Sequence, residues 1–251
     1  MASELRIIPI AGIGEVRPGD DLAGLLFDAL QRQGEQLAEG DILIVTQKIV
    51  SKAEGRIVNP DEIEPSAFAH TIAAQGHKDA RQQEVVLRES ARVVRMDRGV
   101  LLVETRHGLI CANAGVDESN VGGGRVVTLL PEDPDRSATH LRGQIYERAR
   151  VDVAVIISDT FGRPWREGQV NVAIGVAGLE AVQDYRGQFD PYGYELHATA
   201  IAVADELAAA GELVMGKTDQ VPIALIRGYR YTPAEGSARQ LIRSPDKDMF
   251  R

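Results

Sequence analysis

Apolar positions along the chain fall into short blocks whose spacing changes from segment to segment. Residues 5–10 read as a strand, followed by a turn at residues 17–20. Residues 21–33 put Leu22, Leu25, Leu26 and Leu30 on one helical face. Residues 41–46 form a short buried strand that delivers Gln47 to Lys52 at its end, and residues 65–90 predict two helices broken near Gly76. From residue 91 to residue 112 apolar and polar side chains alternate, with Gly99 and Gly108 as punctuation, which predicts adjacent antiparallel strands. Gly122 to Gly124 mark a loop before a strand at residues 125–130. Asp133-Pro134, an N-cap followed by proline at the first helical position, opens a helix through residue 148. An apolar strand at residues 151–158, a helix at 198–210 and a strand at 221–227 complete the pattern.

Strands and helices mix here without regular βαβ alternation. That favours an α+β fold with mixed, largely antiparallel sheets and flanking helices over a doubly wound sheet. No repeat, low-complexity segment or linker divides the chain, so residues 1–251 are expected to form a single unit, and any two subdomains in it are expected to be interleaved.

The formal charge of −9 speaks against a nucleic-acid binder, which needs a basic face to neutralise phosphates. A polyanionic substrate must then meet metals or locally clustered lysine and arginine. The one cysteine, Cys111, excludes an internal disulfide and a thiolate metal cage. In the strand-like run 108–112 it reads as a small buried apolar residue rather than a catalytic thiol. Residues 1–10 lack the basic and apolar regions of a signal peptide, and no apolar run reaches membrane-spanning length. A cytoplasmic protein with no membrane partner is expected.

Residues 211–218, Gly-Glu-Leu-Val-Met-Gly-Lys-Thr, satisfy the P-loop pattern letter for letter. A working P-loop runs from a strand into a helix N-terminus that holds phosphate. Here a helix is expected before the motif and a strand after it, so the match misleads.

Two carboxylates stand out. Asp159 follows the apolar strand and is expected to open a loop over residues 160–166, and Asp117 lies in a second loop after a strand. Aspartates from separate loops suit Mg²⁺ or Mn²⁺, with Thr160 and Ser119 adding hydroxyls, although aspartate also caps turns. Lys48 and Lys52 fit either phosphate neutralisation or a solvated surface. Arg163, Trp165 and Arg166 fit a planar anionic substrate, or an exposed loop with one packed indole. The five histidines show no metal-ligand spacing and no triad partner. On the residues alone the chain reads as an α+β protein with a metal and anion site.

Several blocks in order along nearly the whole chain resemble the coenzyme F-420-0:L-glutamate ligases. They include Pro18-Gly19-Asp20-Asp21-Leu22, Thr46-Gln47-Lys48-Ile49-Val50-Ser51-Lys52, Asn113-Ala114-Gly115-Val116-Asp117, Ser158-Asp159-Thr160-Phe161-Gly162-Arg163, Asp190-Pro191-Tyr192-Gly193 and Val203-Ala204-Asp205-Glu206. The resemblance implies GTP-dependent addition of L-glutamate to a deazaflavin precursor through an acyl phosphate, with GDP and phosphate as products. It implies two nucleotide-clamping ions, Mg²⁺ or Mn²⁺, with Asp117 and Asp159 as catalytic ligands of one and Thr160 as a ligand of the second. Ile13, Gly14, Glu15, Val16, Gln47, Lys52, Asn120, Met215, Gly216, Lys217 and Thr218 match the nucleotide-contacting positions. It further implies a homodimer and a nucleotide groove between two interleaved subdomains. The C-terminal nitroreductase-like domain of some relatives is not expected here. Two positions depart from the pattern. Lys217 stands where relatives can carry an acidic ligand of the second metal, with Asp219 as a candidate substitute, and Gln47 stands where they often carry serine or threonine. The rival readings are a two-metal nucleotide phosphohydrolase or another carboxylate–amine ligase, and a non-catalytic nucleotide-binding regulator.

Overall fold

A computed structural model describes residues 4–97, 99–118 and 126–249. The first third holds β1 (Arg6–Ile10), α1 (Leu22–Gln33), β2 (Ile42–Thr46), α2 (Gln47–Ala53), β3 (Ile57–Val58), α3 (Ala67–Gly76) and α4 (Ala80–Arg88). Then come β4 (Ser90–Asp97), β5 (Val100–Thr105), β6 (Ile110–Ala112), β7 (Val127–Thr128) and α5 (Pro134–Ala149). The rest comprises β8 (Ala154–Arg163), β9 (Arg166–Ala177), β10 (Gln183–Asp184), β11 (Ala200–Ile201), α6 (Val203–Met215) and β12 (Ile223–Arg227).

The central sheet runs β1-β12-β2-β8-β9, and within it only β2 and β8 pair in parallel. A second sheet, β4-β5-β6, is wholly antiparallel, as are the small β3-β7 and β10-β11 pairs. The fold is therefore α+β with mixed, largely antiparallel sheets.

Alternation sorts the central strands between two cores. Leu43, Val45, Val155 and Ile157 face α1, α2 and α5, whereas Ile42, Ile44, Ala154 and Ile156 face α6. Gly211 is needed where α6 crosses β2, because a Cβ there would lie 2.9 Å from Ile44 Cβ. The β4-β5-β6 sheet has its own smaller core with α3 and α4, built on Ile72, Val86, Leu101 and Val103.

Local signals set the helix ends. Asp21 caps α1 by accepting from the Gly24 amide at 3.0 Å, and Gly34 ends it in the left-handed region. Asp133 caps α5 at the Arg136 amide. Three expectations need correction. The strand at 151–158 begins at Ala154 and does not yield to a loop at Asp159; it continues to Arg163 and returns as β9. The reason is a pairing partner invisible to local pattern, since Asp159, Thr160 and Phe161 register with Val172, Asn171 and Val170. The helix expected at 198–210 is displaced to Val203–Met215, because Ala200 and Ile201 pair with Asp184 and Gln183. The strand expected at 125–130 is described only at Val127–Thr128, and the Gly122 to Gly124 loop lies outside the described residues.

Candidate active site

The parallel pairing of β2 and β8 places Thr46 opposite Ser158, so the start of α2 and Asp159 emerge side by side. In α2, Lys48 and Lys52 lie four residues apart and share a face, as do Gln47 and Ser51. Gln47 and Ser51 are buried, and the Ser51 hydroxyl donates to Gln47 Oε1 at 2.9 Å. Lys52 is buried to 5% exposure, yet its Nζ meets Glu15 Oε1 at 2.7 Å. Glu15 comes from a segment whose Ile13 and Val16 are anchored in the core, leaving the Gly14 backbone and the Glu15 side chain at the surface.

Asp117 reaches the same region from the other sheet. Asn113, Ala114 and Gly115 all have φ between 51° and 69°, an arrangement that non-glycine residues adopt at a cost of about 1–2 kcal/mol each. The chain then locks, with the Asp117 N–H and C=O exchanging hydrogen bonds with Thr128 at 3.1 and 3.0 Å. The Asp117 carboxylate is thereby presented to Lys48, whose Nζ lies 2.6 Å from Oδ2.

Asp159 is the most perturbed carboxyl of the site. Burial, with the Asp117 charge nearby adding to it, pushes its pKa up to about 6 against the opposing pull of the Thr160 amide, Lys217 and Lys48. The Cys111 thiol on β6 is pushed up to about 12 by burial and by the Asp159 charge, so it is not a nucleophile. Two carboxylates with Lys48 beside them, one carboxyl with its pKa raised by burial, form an electrostatic arrangement that a hard divalent cation would relieve. This pair fits the usual protein share of a magnesium site, where substrate phosphates and water complete the shell. No group of three or more His, Cys, Asp or Glu residues converges among the described residues.

Thr160 does not join that pair. As the next residue of a strand it points to the opposite face, where its hydroxyl donates to Asn171 Oδ1 at 2.7 Å. Lys217 Nζ donates to the same hydroxyl at 2.6 Å and pairs with Glu212 Oε1 at 2.9 Å. Asn171 Nδ2 donates to Glu212 Oε2 at 2.9 Å, closing the ring. The residues on this face do not fit a second metal, since the threonine and both glutamate oxygens are already engaged. Glu212 and Asn171 were not singled out in the sequence. Their signal, a glutamate inside the P-loop look-alike and an asparagine two residues from an apolar strand core, acquires meaning only through the pairing of β9 with β8 and the packing of α6.

The P-loop look-alike has the order helix, loop, strand. Residues 211–215 are the last turn of α6, with Met215 buried, and Gly216 ends the helix with φ 58° and ψ −176°. Thr218 donates to Asp219, which folds back over Gly216. Of the three residues read for substrate, Arg163 is turned into its own hairpin by the carbonyls of Glu167 and Gly168, and Arg166 is exposed at the start of β9. Trp165 holds φ 57° in the two-residue turn Pro164-Trp165 and is 81% exposed. With Leu102, Phe161, Val172, Arg95 and Arg243 it lines a cavity of about 780 Å³. Ser119 and Asn120 lie outside the described residues.

A site of paired aspartates with a lysine beside them, and an apolar cavity walled by Phe161 further along β8, is suited to enzymatic transfer chemistry on an anionic substrate. Residues 12–228 match the family model described as F420-0:Gamma-glutamyl ligase, and the chain belongs to that family. It is 50% identical over 98% of both chains to the protein named Coenzyme F420:L-glutamate ligase of Methanopyrus kandleri. It is 47% identical to the protein of the same name from Methanothermobacter thermautotrophicus, over 98% of this chain and 99% of the relative. The like-named Archaeoglobus fulgidus protein is 41% identical over 98% of this chain and 96% of its own. No described helix is long and apolar enough to cross a membrane.

Proposed function

We propose that the chain uses GTP to join L-glutamate to the terminal carboxylate of the deazaflavin precursor F-420-0. The observation that carries this reading is the convergence of Asp117 and Asp159 beside Lys48, at the paired ends of β2 and β8, in a chain of this family. A carboxylate is a poor acyl donor until one oxygen becomes a leaving group. The precursor carboxylate attacks the γ-phosphorus, the bond to the bridging oxygen breaks, and GDP departs. The glutamate amine then attacks the acyl carbon, loses a proton and expels inorganic phosphate.

A Mg²⁺ or Mn²⁺ held by Asp117 and Asp159 supplies Lewis-acid neutralisation of the phosphate oxygens. The chain's own residues position the reactants. Lys48 sits against Asp117 and can turn to phosphate, and Lys52 is held at Glu15 beside the segment read as a nucleotide contact. Gln47, Met215, Gly216, Lys217 and Thr218 border the same end of the sheet, where Thr46 N–H bonds to Pro222 O. The nucleotide is assigned to the groove between the central sheet and the β4-β5-β6 sheet. The acceptor's fused rings are assigned to the 780 Å³ cavity, because Phe161 on its wall lies two residues from Asp159 on the same strand face. A strained, exposed Trp165 supports a stacking role for the indole. The protein is further assigned to the cytoplasm, and the exposed aromatics Phe189, Tyr192 and Tyr194 support a homodimer, checked by light scattering.

The test is mass spectrometry of purified protein with F-420-0, L-glutamate, GTP and Mn²⁺, each omitted in turn. A gain of one or more glutamyl units that needs all four supports the ligase. GDP formation without a glutamylated product would shift the reading to a nucleotide hydrolase.

A further inference from the structure

We infer that the Lys217 ammonium is a built-in cation that takes the place of a second metal, so that this chain works with one divalent ion per site. The inference rests on the nucleotide-dependent reading above and concerns the face of β8 opposite Asp159. Strand geometry sends the side chains of Asp159 and Thr160 to different faces. On the Thr160 face the oxygens that could hold a second ion are the threonine hydroxyl and the Glu212 carboxylate. Lys217 Nζ occupies the position between them, 2.6 Å from Thr160 Oγ1 and 2.9 Å from Glu212 Oε1. Asn171, itself 4% exposed, holds both acceptors in place by accepting from Thr160 and donating to Glu212 Oε2. The ammonium is therefore seated by a rigid polar frame rather than swinging in solvent. A divalent ion entering this frame would sit against a fixed positive charge with its ligands already used.

Asp219 does not restore a second cage. It accepts from Thr218 at 3.2 Å within its own loop, and its Oδ2 lies 2.8 Å from where a Gly216 Cβ would be. Two of the three ammonium donors are spent on Thr160 and Glu212, and the side chain is 62% exposed. The third N–H can therefore meet a phosphate oxygen arriving from solvent, bringing to the transferred group the charge that a second ion would bring.

The deciding measurement is Mn²⁺ stoichiometry, read by electron paramagnetic resonance and calorimetry, on protein saturated with a non-hydrolysable GTP analogue. One ion per chain is expected for the native protein and two for Lys217→Glu, which removes the ammonium and adds a carboxylate. Lys217→Gln, exposed and isosteric enough to fold, should change the rate from a hyperbolic to a sigmoidal function of Mn²⁺. Two ions on the native protein would overturn the inference, as would one ion on Lys217→Glu. Failure of either protein to bind analogue with any Mn²⁺ would instead overturn the nucleotide-dependent reading beneath it.

Discussion

The two faces of the β8–β9 hairpin balance their charged groups in opposite ways. On the Asp159 face, two acidic groups from separate sheets come together, one with a raised pKa, and Lys48 pairs with one of them, Asp117. On the Thr160 face, the acidic Glu212 is already matched by Lys217 and the polar atoms are mutually satisfied. One face is built around a deficit of positive charge and the other around a completed ion pair. The difference teaches that adjacent residues of one motif need not serve one ligand. In an extended strand they report on different sides of a sheet.

Substitutions at the two faces should separate these roles. The largest effect is expected for Asp159→Ala, which should lower turnover by about 10³-fold or more, the scale of removing a central electrostatic group. Near-normal kcat in a folded variant would remove Asp159 from the chemistry. On the opposite face, Thr160→Val should cost only about tenfold in kcat, since it loosens the seat of Lys217 without deleting a charge. Equal losses at the two positions would collapse the distinction between the faces.

Stability sharpens the same contrast. A carboxyl whose folded pKa is about 6, above its unfolded value of 3.8, binds more protons folded than unfolded between those values. The metal-free protein should therefore lose stability as pH rises from about 4 to 6, by on the order of 2–3 kcal/mol. Asp159→Asn should flatten that part of the curve, as read from urea midpoints across pH. An unchanged slope would show that Asp159 is not held in an uncompensated site.

Smaller effects are expected at the margins of the Asp159 face. Lys52→Ala should weaken GTP binding by about ten- to a hundredfold, the range for losing one charge-assisted contact, as measured by calorimetry. Trp165→Ala should raise KM for the deazaflavin acceptor several-fold with little change in kcat, consistent with loss of one stacking surface worth about 1 kcal/mol. A loss confined to kcat would move the indole from acceptor binding to positioning.

Local pattern was enough for α1, with its leucine stripe and Asp21 cap, for α5, announced by Asp133-Pro134, and for the β4-β5-β6 meander, with its alternation and Gly99 and Gly108 turns. It also singled out Asp117, Asp159, Lys48 and Lys52, because short blocks resembling a known family's pattern carry those residues in order. Local pattern failed at residues 159–166 and 198–202. The first run, rich in polar and glycine residues, becomes strand only because β9 is there to pair with it, and the second gives Ala200 and Ile201 to a two-residue ladder that outcompetes helix propensity.

The sequence by itself determined the fold class, the family and the identity of the paired aspartates, since these depend on periodicity, capping and residue order within short windows. Only the tertiary structure decided that Asp159 and Thr160 look away from each other, that Glu212 and Asn171 frame Lys217, and that Phe161 and Trp165 line one cavity. Those facts depend on the register of β9 against β8 and the crossing of α6 over β2, contacts that run from Thr160–Asn171, 11 positions apart, to Gly211–Ile44, 167 apart, and that no local window contains.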